Sequence, residues 1–190
     1  MNYAITLLTA TSCLLGSSAH GQAVSPMEFE VQATMLASKG VITSCGVSFN
    51  GAAIKPGSAL EADQIAGSVA IHVDAPSLVK AGHQITGMES GKMKTRMVGD
   101  QVAWIRIEGG TPRAPLNNKI VPGDAKPYHL FAVDGASAVT AIKSILAGKT
   151  IWIGCTENGT TSRIFSGRMK KDSSVVEQVT ACINELPAKP

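Results

Sequence analysis

The spacing of hydrophobic residues changes along this chain of 190 residues, from every second position to every third or fourth. Alternating apolar and polar residues are typical of half-buried strands. Strands are predicted over residues 29–35, 41–49, 68–74, 101–108 and 128–133. Helical spacing occurs near the C-terminus, over residues 138–146 and 175–186. Strands followed by late helices predict an α+β, β-rich fold, which is an antiparallel β-sandwich or a curled sheet with two helices near the C-terminus packed on it.

The last quarter of the chain has the clearest pattern. A helix, a strand, a tight turn, a second strand and a closing helix follow one another there. Asn158-Gly159 is typical of a type I′ turn, which predicts a hairpin of two short strands around it. Counting back from this turn places Ile153 opposite Ile164. Gly148 suits the left-handed position just past the end of the first helix.

Two cysteines of this last quarter are predicted to point inward. Cys155 shares a strand face with Ile151 and Ile153, and Cys182 lies on the apolar face of the closing helix. A Cys155–Cys182 disulfide would close a loop of about 28 residues and stabilise the fold by roughly 3.5 kcal/mol on the chain-entropy model. Cys45 would then remain a free thiol. The alternative is that Cys155 and Cys182 are two small buried thiols.

The N-terminal residues 1–21 resemble a cleavable signal peptide. Ala4–Leu15 form an apolar segment, and Ala19-His20-Gly21 offer small residues for cleavage, although no Lys or Arg lies near the start. The apolar segment is too short to span a bilayer, so no integral membrane segment is expected after cleavage. Residues 22–190 are then a single β-rich domain, periplasmic or secreted. A lipoprotein modified at Cys13 is the alternative.

The charge pattern points away from nucleic acid as a partner. The net charge is +3, only 16% of residues are charged, and the cations are scattered. The densest groups of cations, interpreted as solvated edges, are Arg163, Arg168, Lys170 and Lys171, and Lys92, Lys94 and Arg96. The second group follows Ser90-Gly91, which predicts an exposed loop or an edge hairpin.

No residues have the spacing of a metal or cofactor site. His72, His83 and His129 form neither a helical pair nor part of a cysteine cluster, so no metal and no cofactor is predicted. A catalytic thiol at Cys45, activated by a histidine that is distant in sequence, is one alternative function, as in a thiol hydrolase. The first expectation is a protein that is not an enzyme.

A long loop is predicted between the strand at 101–108 and the strand at 128–133. It is rich in Gly, Pro and Asn, and loops of this length are often functional. The residues predicted to form a binding loop are Pro112, Arg113, Asn117, Asn118 and Lys119. A second alternative function is therefore a periplasmic inhibitor that inserts this loop into a target enzyme.

The order of elements in the last quarter, with Ala147-Gly148-Lys149 between the first helix and the strand, resembles the C-terminal half of the invasion-associated locus B family. The resemblance covers Ser137–Leu186. It implies an exported protein of Gram-negative bacteria linked to host-cell invasion rather than to catalysis. The family's cysteines near an early tryptophan have no counterpart, since no Trp precedes Trp104. The resulting hypothesis is a small exported, non-catalytic binding or interaction protein, whose partner is an unidentified protein or envelope component.

Overall fold

The computed structural model describes residues 24–55, 57–97, 101–110, 113, 128–157, 160–170 and 172–187. These residues form nine strands and two helices, which confirms the predicted β-rich α+β fold with a curled sheet. The elements are β1 (Val24–Ser38), β2 (Val41–Ile54), β3 (Glu61–His72), β4 (Ser77–Glu89), β5 (Lys92–Met97), β6 (Gln101–Ile107), β7 (Tyr128–Val133), α1 (Gly135–Leu146), β8 (Ile151–Glu157), β9 (Thr160–Met169) and α2 (Ser173–Glu185). The predicted signal peptide at residues 1–21 lies outside the described residues.

Strand β1 belongs to two layers of the curled sheet. The strand order is β5-β4-β3-β2-β1-β9-β8-β6, and β7 pairs with the free half of β4. Val24–Phe29 pair with β9 in parallel, whereas Glu30–Ser38 pair with β2 in the antiparallel sense. We call β9, β8, β6 and the first half of β1 the β9 layer. The second half of β1 with β2, β3, β4, β5 and β7 is the β2 layer.

Phe29 marks the point where β1 passes from one layer to the other. Its side chain is fully buried, and its ring meets the Phe49 ring edge to face, with the ring centres 5.4 Å apart. Gly51 and Gly167 flank this ring, and a Cβ atom on either would lie 2.8 Å from it. Glycine is needed at both positions because any larger residue would collide with Phe29.

The hydrophobic core lies between the two layers. It is formed by Val47, Phe49, Ile65, Val69, Val79 and Phe131 from the β2 layer and by Ile105, Ile151, Ile153 and Phe165 from the β9 layer. Cys45 shares the buried face of β2 with Val47 and Phe49, as the alternation of the sequence predicts.

Helix α1 packs against strands of both layers, namely β3, β4, β6 and β9. It buries Ala138, Ile142 and Ile145. Asp134 caps its N-terminus, because the carboxylate accepts a hydrogen bond of 2.8 Å from the Ser137 amide. Gly148 has a φ of +73°, which confirms the predicted left-handed residue after the helix.

Helix α2 packs mainly on β1 and β2. It buries Val175, Val179 and Cys182. Asp172 caps it by accepting a hydrogen bond of 2.9 Å from the Ser174 amide. This position over the β2 layer decides which cysteine α2 can reach.

The predicted Cys155–Cys182 disulfide is wrong, and so is the free thiol at Cys45. Cys182 is bonded to Cys45, with Cα atoms 5.8 Å apart, and Cys155 is buried outside this bond. All three cysteines face the interior as predicted. What separates them is position, because α2 lies on β1 and β2 while Cys155 lies on β8, with β9 and β1 between β8 and β2.

The pairing registers of β1 also show that Cys45 and Cys155 lie far apart along the strands. Cys45 pairs with Met35 near the end of β1. Cys155 pairs with Arg163, the neighbour of Ile164, and Ile164 pairs with Val24 at the start of β1. Cys155 and Cys45 therefore lie near opposite ends of a strand of fifteen residues.

Two further expectations concern hairpins. In the β8–β9 hairpin, Ile153 pairs with Phe165 and not with Ile164, because a bulge beside Cys155 adds one residue to β9. The edge hairpin at Ser90-Gly91 is confirmed, and both residues have positive φ angles, of 53° and 74°. They join β4 to β5.

Candidate functional site

The curl of the sheet leaves a seam between its two ends. Strand β6, at one end of the strand order, contacts β4 and β7 at the other end. No ladder of strand pairs joins them in the described part of the chain. Helix α1 packs against both β4 and β6 at this place. We refer to the space between β6, β7, β4 and α1 as the seam.

A cavity of about 430 Å³ opens at the seam. Its apolar wall is formed by Val79 of β4, Ile105 and Ile107 of β6, Val133 of β7, and Ala136 and Ala141 of α1. This volume falls in the range of natural small-molecule sites, about 300–1,000 Å³. The wall is apolar and continuous with the core, since Ile105 and Val79 are only 3% exposed.

The cavity exists because α1 turns small side chains toward the seam. Ala136, Ser137, Thr140, Ala141 and Ser144 line it, and they follow a spacing of one, three or four residues on one side of the helix. Longer side chains there would fill the space between the helix and β6.

Arg113 supplies the positive charge at the mouth of the cavity. Its backbone pairs with that of Ile105 on the edge of β6 through hydrogen bonds of 2.9 and 3.2 Å. Its exposed guanidinium group donates a hydrogen bond of 3.3 Å to the Ser137 hydroxyl. The backbone pairing fixes the start of this side chain, while its end remains accessible to solvent.

Glu108 carries the negative charge of the lining. Hydrogen bonds from the Thr150 backbone and side chain lower the pKa of this carboxyl below its ordinary value of 4.5. The Lys149 ammonium group lies 3.6 Å from it. Glu108 is thus ionised at neutral pH and already bound by its own neighbours. The Arg113 side chain donates to the Ser137 hydroxyl, and its charge helps to lower the pKa of Asp134.

Of the predicted binding loop, the structure places Arg113 at the cavity. Pro112, Asn117, Asn118 and Lys119 lie outside the described residues. The rest of the cavity was not found from the sequence, because its wall comes from four elements that are distant along the chain. The run of small residues on one side of α1 is the sequence feature that could have indicated this cavity.

A second polar cluster is buried between the layers. Asp63 of β3 accepts two hydrogen bonds from the Arg163 guanidinium group of β9, 2.7 and 2.6 Å long. The Asp63 carboxylate also lies 2.9 Å from Nε2 of His83 on β4. The Ser25 hydroxyl of β1 is 3.4 Å from Arg163. The cluster links four strands across the interior.

The charges of this cluster are satisfied within it. Burial raises the pKa of Asp63, but the hydrogen bonds from His83 and Arg163 outweigh that effect and bring the pKa below its ordinary value of 3.8. The expectation that Arg163 is a solvated edge residue is wrong, since its side chain is only 20% exposed and bonds a fully buried carboxylate. The cluster holds the two layers together.

The catalytic thiol considered for Cys45 is contradicted by the disulfide, because a bonded sulfur has no thiolate to act as nucleophile. Among the residues that the structure describes, no three His, Cys, Asp or Glu side chains are grouped to hold a metal ion. No helix in the described ranges has the length and apolar character needed to cross a bilayer.

Comparisons with known proteins do not place the chain in a family. No family model, no curated protein and no solved structure matches it. The resemblance of Ser137–Leu186 to the invasion-associated locus B family stays a prediction.

Proposed function

We propose that this protein is an exported periplasmic binding protein without a catalytic role, and that its seam cavity binds a small molecule. The cavity at the seam is the observation that carries this proposal. Its apolar wall favours a ligand that is mostly apolar, because burial of apolar surface supplies most of the affinity in such sites.

The ligand is expected to carry one acidic group. Arg113 lies at the mouth of the cavity with its guanidinium group exposed, and its bond to the Ser137 hydroxyl can be exchanged for a bond to an anion. The nearby Glu108 would repel an anion less strongly than a lone carboxylate, since Lys149 and Thr150 hold it. An acid with an apolar body would contact both the apolar wall of the cavity and Arg113.

Export rests on two observations. The first 21 residues have the pattern of a signal peptide, and the Cys45–Cys182 disulfide is compatible with an oxidising compartment outside the cytoplasm. The resemblance to the invasion-associated locus B family supports a role in the envelope or in contact with a host.

Export can be tested by mass. A chain produced with its full sequence should lose about 21 residues and appear in the periplasmic fraction of a Gram-negative host. An intact N-terminus in the cytoplasmic fraction would contradict the export proposal while leaving the cavity untested.

Ligand binding can be tested with anilinonaphthalene sulfonate, a dye with an apolar ring system and one anionic group. The protein should bind the dye at one site, and Ala141→Leu should weaken the binding because the longer side chain occupies part of the cavity beside α1. Ala181→Leu is the matched control, since Ala181 is exposed on α2 and lines no part of the seam. Thermal unfolding of both variants checks that they fold.

The role of Arg113 can be tested in the same assay. Arg113→Ala should weaken dye binding by about tenfold or more, the usual loss for a hydrogen bond to a charged group. Lys92→Ala, which removes an exposed cation on β5 away from the cavity lining, should leave the affinity unchanged. Equal affinity of the wild type and Ala141→Leu would refute the seam cavity as the binding site.

A further inference from the structure

The second half of β1 presents an unpaired edge. Its pairing with β9 ends at Phe29, and from Glu30 to Ser38 the strand pairs with β2 alone within the described residues. This edge is nine residues long, which corresponds to about 30 Å of strand. Its outward backbone groups can accept another strand, since exposed strand edges readily pair with a second chain.

Two other edges of the sheet carry features that oppose the addition of a strand. Strand β5 carries Lys92 and Lys94, both exposed, and charges on an edge strand oppose the addition of a second strand. The edge of β6 is bonded at Ile105 by the backbone of Arg113. Each of these edges therefore has a feature that blocks or already satisfies strand addition.

The free edge of β1 differs from these two edges in its side chains. Residues 31–38 carry no charge, and Met35 and Leu36 are 59% and 61% exposed. A second strand added to this edge would bury part of the surface of these two side chains. A bulge between Leu36 and Ala37 ends the regular part of the edge.

This part of β1 is also held in place. Helix α2 packs on β1 and β2, and the Cys45–Cys182 disulfide joins that helix to β2 opposite Met35. The strand is therefore preformed, so a partner strand would add to it without ordering it first.

We propose that this edge pairs with the same edge of a second copy of the chain, antiparallel and about a two-fold axis. The charges at the two ends of the edge favour a second copy of the chain as the partner. Glu30 lies at one end and Lys39, in the turn after β1, lies at the other. Antiparallel self-pairing brings Glu30 of each copy close to Lys39 of the other, so both ends of the interface gain an opposite charge.

In this dimer the two β2 layers form one continuous sheet. Met35 and Leu36 of both copies become buried beside the two-fold axis. The seam cavity involves other strands and remains open, so dimerisation and ligand binding are independent proposals.

The test measures the oligomeric state of the purified protein by sedimentation velocity over a range of concentrations. The wild type should dimerise. Glu30→Lys and Lys39→Glu should each weaken dimerisation by about tenfold, because each places like charges at both ends of the interface. The double variant, Glu30→Lys with Lys39→Glu, should restore dimerisation, since it returns opposite charges to both ends.

Met35→Lys should abolish the dimer, and Met93→Lys is its matched control. Met93 is 70% exposed on the edge strand β5, so its replacement should leave the dimer unchanged. A wild type that is monomeric at every concentration overturns the proposal, as does a dimer that Met35→Lys leaves intact. Failure of the double variant to restore dimerisation also overturns it. Capture of an extended segment of another protein by a monomeric wild type would show that the edge serves a different partner.

Discussion

Two buried connections hold this fold together, and they differ in chemistry. The Cys45–Cys182 disulfide joins α2 to the β2 layer across 137 residues of sequence. The Asp63–Arg163 ion pair joins the two layers across 100 residues. The disulfide stabilises mainly by restricting the unfolded chain, whereas the ion pair acts in the folded state, where its desolvated charges must be satisfied. One connection should therefore respond to reductant and the other to acid.

The contribution of the ion pair to stability depends more strongly on its surroundings than that of the disulfide does. A buried charge pair contributes to stability only when its hydrogen bonds are complete, and Asp63 has three such contacts, two to Arg163 and one to His83. Loss of one partner leaves a buried charge without compensation. Loss of the disulfide leaves two small apolar groups, which the interior tolerates well.

The largest effect is expected from removal of the disulfide. Cys45→Ala should lower the free energy of unfolding by about 5 kcal/mol, the chain-entropy value for a loop of this length. Urea-induced unfolding measures this loss. Cys155→Ala should cost less and leave the bond in place, because Cys155 lies on a different strand. Non-reducing digestion should yield the Cys45 and Cys182 peptides joined, and a joined peptide that contains Cys155 would contradict this.

The next effect is expected from removal of Arg163. Arg163→Ala should lower the free energy of unfolding by about 3–5 kcal/mol, because it leaves the Asp63 carboxylate buried and without its main partner. Arg168→Ala, on the exposed face of the same strand, should change stability by no more than about 0.5 kcal/mol. Similar losses of stability for both variants would show that the Asp63–Arg163 ion pair contributes no more than an exposed arginine does.

Acid should act on the ion pair and not on the disulfide. The folded pKa of Asp63 lies below 3.8, so its unfolded form binds a proton first as the pH falls. This contribution is fully present above pH 3.8 and should decrease, by on the order of 1–2 kcal/mol, as the pH falls below 3.8 toward the folded pKa. Arg163→Ala removes the hydrogen bonds and the charge that lower the pKa of Asp63, so the acid-induced loss of stability should be smaller in this variant than in the wild type. Reduction of the disulfide should leave the acid-induced change unaltered.

The smallest effect is expected from His129, which is 2% exposed on β7. Burial lowers the pKa of His129 below its ordinary value of 6.5, so the unfolded chain takes up this proton first. The contribution of neutral His129 to stability is fully present above pH 6.5 and should fall as the pH drops below it, by on the order of 1 kcal/mol at most. His129→Leu should remove this slope in both the oxidised and the reduced protein, which calorimetry at several pH values can measure.

The sequence predicted the types of elements better than their partners. Periodicity placed Cys45, Cys155 and Cys182 on inward faces, since one strand or helix is enough to determine a face. The choice of disulfide required the strand order, and the order depends on the pairing of β1 with β9, which no local pattern indicates. The bulge that shifts the β8–β9 register is likewise a tertiary feature.

Strand β4 was not predicted from the sequence, because its pattern of apolar and polar residues is irregular. It buries polar residues, among them Ser77, His83 and Gln84, and these interrupt the alternation that indicates a strand. His83 is buried because Asp63 binds it, and that contact joins residues 20 apart. The polar cluster and the seam cavity share this property, since both depend on residues that only the fold brings together.

The parallel pairing of β1 with β9 determines when the chain can finish folding. It joins the first and the last strands of the described fold, so β1 lacks one of its two neighbours until the C-terminal quarter has been made. Contacts between distant parts of a chain slow folding, to milliseconds or seconds in sheet-rich domains. If the chain is exported as proposed, β1 and β9 can pair only after the C-terminal quarter has crossed the membrane.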